Sequence, residues 1–79
     1  MIDKDRLAQE ARNLGENEAF QLALGRIRMD ALEGLVRTPA TDIEAIRDHQ
    51  ARVRVVDDLR GNLEAFIRNG QPRKPPGIV

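Results

Sequence analysis

Apolar residues recur along this chain at the three- and four-residue spacing of an α-helix, in two long stripes. The first runs Phe20, Leu24, Ile27, Ala31 and Leu35; the second runs Ile46, Val53, Val56, Leu59, Leu63, Phe66 and Ile67. Such spacing gathers each stripe on one side of its helix. Between them, Arg37-Thr38-Pro39-Ala40-Thr41 interrupts the pattern. Pro39 has no backbone donor and pushes Thr38 out of helical geometry. Two helices joined by so short a loop fold back on each other. The pattern therefore predicts an all-α protein, a long helical hairpin with coiled-coil or bundle packing.

Local signals set the expected boundaries. Asp3 can cap a helix opening at Lys4, and Leu7, Ala11 and Leu14 continue its apolar face. Gly15 then interrupts, and Asn17 with acidic Glu18 behind it has the form of a fresh N-cap. An interior Gly costs only about 1 kcal/mol, which packing can override. The favoured reading is one helix over about 4–36 with a hinge near Gly15; a break and restart at Asn17 is the alternative. Thr41-Asp42-Ile43-Glu44 has the form of a capping box and places the start of the second arm at about Asp42. Asn69-Gly70 and then Pro72 stop that arm, giving a helix over about 42–69 that spans roughly 40 Å. Its outer faces offer Asp48/Arg52, Arg54/Asp58, Arg60/Glu64 and Glu64/Arg68 as i, i+4 pairs. Residues 1–70 thus form the hairpin. Residues 71–79, rich in Pro and Gly, form an extended tail ending in Ile78 and Val79, which could contact a neighbouring subunit.

Size changes the picture. A core built from 79 residues rarely supplies more than about 3–5 kcal/mol without a staple. There is no Cys, and His49 is the only His, so disulfides, thiolate metal sites and multi-His zinc sites are excluded. Association with copies of itself or with a larger protein assembly remains. A hairpin of two helices would also leave Leu22, Leu32, Ile43 or Val55 poorly covered. The set expected to form core and interface is Leu24, Ile27, Ala31, Val53, Val56, Leu59, Leu63 and Phe66.

Charge narrows the partners. The formal net charge is zero, and no segment carries the dominant positive field of a nucleic-acid binder. Arg47, Arg54 and Arg28 could track phosphates, but Asp58 follows on the same strip and no aromatic group lies among them. Nucleic acid is therefore not the expected partner. No apolar run approaches the roughly 20 residues of a membrane span, and the opening Met1-Ile2-Asp3-Lys4-Asp5 lacks the pattern of a signal peptide. The expectation is a protein of the cytoplasm or of a particle assembled there, without membrane association.

No catalytic constellation can be assembled. His49 beside Asp48 has no nucleophile near it and reads as a seam-edge residue with one nitrogen in water. Asp57 and Asp58 point about 100° apart on a helix and do not converge on a cation; Glu16 and Glu18 read as a solvated face. Neither a Gly-rich phosphate loop nor any other cofactor motif is present. No cofactor, metal, catalytic residue or small-molecule substrate is expected.

The stretches Asn17-Glu18-Ala19-Phe20, Leu24-Gly25-Arg26-Ile27-Arg28, Thr38…Asp42 and Val53-Arg54-Val55-Val56-Asp57-Asp58-Leu59-Arg60 resemble short helical-hairpin proteins of tailed bacteriophages and prophages of proteobacteria. The likeness covers about residues 10–70 and consists of helix pattern and Arg/Leu spacing. It implies a structural or interaction role in a virion or its assembly, inside a bacterial host or in the particle itself. The expected function is thus a non-enzymatic protein that self-associates or docks through apolar helix faces. The alternatives are a nucleic-acid-binding packaging factor of the small-terminase kind and a phage-encoded inhibitor of a host protein.

Overall fold

The computed structural model describes residues 3–70, which fold into three helices: α1 (Lys4–Glu16), α2 (Glu18–Arg37) and α3 (Ile43–Gly70). The expected contacts of Ile78 and Val79 lie outside the described residues. The fold is the all-α hairpin that the apolar periodicity predicts, with its first arm broken in two. Both α1 and α2 pack along α3, and they touch each other far less. The radius of gyration is 17.6 Å, against about 12 Å for a compact chain of this length. The molecule is an elongated strut.

The break falls at Asn17, not at Gly15, so the single helix over 4–36 is not formed. Asn17 sits in extended backbone (φ −77°, ψ 111°) and serves both helices. Its N–H donates to the Leu14 carbonyl at 3.1 Å, closing α1. Its side-chain oxygen accepts from the Phe20 N–H at 2.8 Å, opening α2. A residue that satisfies orphan groups at both ends makes the interruption inexpensive. Gly15, by contrast, stays helical, and a Cβ there would meet nothing within 4 Å.

Asp3 caps α1 as expected, accepting from the Asp5 and Arg6 N–H groups at 3.0 and 3.2 Å. Thr38 ends α2 in extended backbone (φ −79°, ψ 130°), and both its N–H and its hydroxyl donate to the Gly34 carbonyl, at 3.0 and 2.6 Å. The cap of α3 is Asp42 and not Thr41. Its carboxylate accepts from the Ala45 N–H at 3.2 Å, and its own N–H donates to the Pro39 carbonyl at 2.9 Å. A carboxylate at that position also faces the positive end of the helix dipole, which a hydroxyl exploits less.

The core is thin. Among the described residues the buried apolar side chains are Ala8, Ala11, Leu24, Ala31 and Val56, and no polar side chain is buried with them. Ala8 and Ala11 let α1 lie close on the C-terminal half of α3. Gly70 completes that contact: a Cβ on it would run into Ala8 and fall 2.7 Å from the Lys4 carbonyl oxygen. At the other end, Gly34 of α2 admits the ring of His49 from α3.

Candidate interaction surface

The eight residues expected to form core and interface divide into two groups. Leu24, Ala31 and Val56 are buried between the helices of the chain itself, with Val53 and Leu63 half-buried beside them. Ile27, Leu59 and Phe66 lie at the edges of the seam, 48%, 37% and 37% exposed. The first group is internal packing and is closed to a partner; the second group is open.

More apolar surface lies where the two stripes do not reach. Leu22 is 66% exposed, Met29 54% and Val36 87%, all on the side of α2 turned away from α3. Gly25 and half-buried Leu32 fill the intervening positions, so Leu22, Gly25, Met29, Leu32 and Val36 follow one another at steps of three and four. This is the a/d rhythm of a coiled-coil seam. It was readable in the sequence as a second helical stripe, but the more regular stripe through Leu24 and Ala31 overshadowed it. Open grooves flank it. One runs over Leu22, Gly25, Arg26 and Asp30; another lies between Leu32 and Leu35 of α2 and Gln50 and Val53 of α3. On α3, Val55 is 64% and Ile43 57% exposed, as expected for a hairpin that has no third layer.

Polar groups fix the arms relative to each other. Arg28 Nε donates to Asp57 Oδ1 at 2.9 Å and Nη2 approaches Oδ2 at 3.5 Å, tying α2 to α3. The pair removes Arg28 from the set of cations considered for phosphate binding and gives Asp57 a structural partner. Besides it, Arg6 and Glu10 pair along α1 at 3.2 Å. Those are the ion pairs among the described residues, and the four i, i+4 pairs expected on α3 do not close. Exposed side chains lose rotamer entropy on pairing, which cancels most of the gain.

His49 is half-buried in the seam. Its ring packs against Gly34, and of its two nitrogens Nδ1 is the one that is buried without a hydrogen-bond partner. Among the described residues no cluster of three His, Asp or Glu side chains could hold a metal ion, and no helix is long and apolar enough to cross a membrane.

Compared with protein families, with curated proteins and with solved structures, the chain matches none. The distinguishing features of its surface are an apolar strip on the outer side of α2, apolar seam edges along α3, and charged residues spaced between them.

Proposed function

We propose that this chain is a non-enzymatic structural or interaction protein whose hairpin associates with further copies of itself through apolar helix faces. One observation carries the reading. Among the described residues nine large apolar side chains stand exposed, Leu14, Leu22, Ile27, Met29, Val36, Ile43, Val55, Leu59 and Phe66, while three of the five buried apolar residues are alanines. Exposed apolar residues scattered singly need no explanation, but a helix-length strip of them marks an interaction surface. A strut with so small a core also gains the stability it lacks when a neighbour covers that strip. As part of this proposal the strut belongs to a repeated protein assembly, and the pattern-level resemblance to helical hairpins of tailed phages suggests a virion or its assembly machinery as the setting.

Concentration-dependent melting tests the reading. Association that couples to folding raises the melting temperature with protein concentration. Circular dichroism over a hundredfold concentration range is expected to show a rising midpoint. A midpoint that stays fixed over that range would remove self-association as the function of the surface.

A further inference from the structure

The self-association just proposed leaves open which face pairs and in what direction, and the outer face of α2 answers both. Leu22, Gly25, Met29, Leu32 and Val36 supply a and d positions over two heptads. The flanking positions directly after each d residue are Arg26 and Glu33, both exposed. Neither has a salt-bridge partner among the described residues. On the other flank Arg28 is already held by Asp57. Gly25 is not required by the fold of the chain, because a Cβ there meets only the tip of Arg60, at 4.0 Å. It leaves a notch in an otherwise apolar strip.

We infer that a second copy of this chain packs antiparallel on the outer face of α2, with Arg26 of each copy beside Glu33 of the other. In antiparallel coiled coils the flanks meet like with like, so the flank bearing Arg26 and Glu33 meets itself reversed. Placing the two-fold axis between Asp30 and Ala31 then forms the Arg26–Glu33 pair twice. The same register sets Met29 against Leu32 of the second copy and Val36 over the Gly25 notch. Moving the axis by half a heptad toward the N-terminus would instead set Arg26 against Arg26. A parallel pairing would set Arg26 beside Gln21 of the copy and leave it without an acid. The strip is thus complementary to its own reverse in both shape and charge, which is what a two-fold interface requires.

Charge reversal tests this directly. Arg26→Glu and Glu33→Arg each turn two attractions into two repulsions in the antiparallel pair, and each is expected to weaken self-association about tenfold. Both positions are exposed, so helicity by circular dichroism should match the parent. An equimolar mixture of the two variants restores both pairs, and so does the double variant; each is expected to associate like the parent. If Arg26→Glu associates as tightly as the parent, the antiparallel register is wrong, although self-association through some other face stands. If the mixture stays as weak as its components, the charge pairing is wrong. If the parent itself is monomeric at millimolar concentration, the self-association reading falls together with this inference.

Discussion

The ring of His49 occupies the space a side chain would need at Gly34: a Cβ there would lie 2.6 Å from Nδ1 and 2.7 Å from Nε2. The glycine is what allows α2 and α3 to close near the loop. Gly34→Ala should therefore destabilise the protein by about 1–2 kcal/mol, even though Ala is the better helix former by about 1 kcal/mol. In a His49→Ala background the clash is gone, and the same substitution should be neutral or stabilising. Urea unfolding of the four proteins in this cycle measures the coupling. Equal effects in both backgrounds would show that the ring does not restrain Gly34.

Gly70 tests α1 in the same way but against a stiffer neighbour. Its contact is with the Lys4 backbone and Ala8, which cannot swing aside as a ring can. Gly70→Ala should cost about 1–3 kcal/mol and raise amide exchange across α1. Gly61→Ala, at a position on α3 with open space around it, should stabilise by about 0.5–1 kcal/mol and serves as the reference.

The break between α1 and α2 depends on one side chain. Asn17→Ala removes the acceptor of the Phe20 N–H and should cost about 0.5–2 kcal/mol, whereas Asn17→Asp keeps an acceptor and should cost little. Thermal melts of the two variants decide it. A stabilised Asn17→Ala would mean that the continuous helix is the better state.

Apolar positions on opposite faces should answer differently to charge. Val56 is 3% exposed, and Val56→Asp leaves a carboxylate without a partner between helices. The cost of several kcal/mol is comparable to the whole stability of a domain this size, and the variant should be unfolded by circular dichroism. Val36, 87% exposed, should accept Asp with its helicity intact. A folded Val56→Asp would contradict the placement of α2 and α1 on α3.

Much of this fold is legible in the sequence because the helical period is strong and Thr38-Pro39 breaks it sharply. The hairpin, the extent of its second arm and the poor cover over Leu22, Val55 and Ile43 follow from those features. Other parts are not legible, for physical reasons. Asn17 and Gly15 both weaken a helix, and only the hydrogen bonds at both sides of Asn17 decide between them. Thr41 and Asp42 are both good caps, one residue apart. Ala8, Ala11 and Gly70 carry almost no hydrophobic signal, yet their smallness is what docks α1. The expected interface set mixed buried and open residues, because spacing gives the side of a helix but not how far a neighbour covers it. The outer strip through Met29 and Val36 was present at the same spacing and becomes distinct only once the inner face is occupied.

On the proposed reading, this strut is built to be covered by another copy of itself. The most direct measurement is its absolute mass in solution by light scattering across a concentration series. A chain of 8.9 kDa should pass to twice that mass as concentration rises, and Val36→Asp should shift the transition to higher concentration. A mass that stays at 8.9 kDa up to millimolar concentration would show that the strut does not pair with itself.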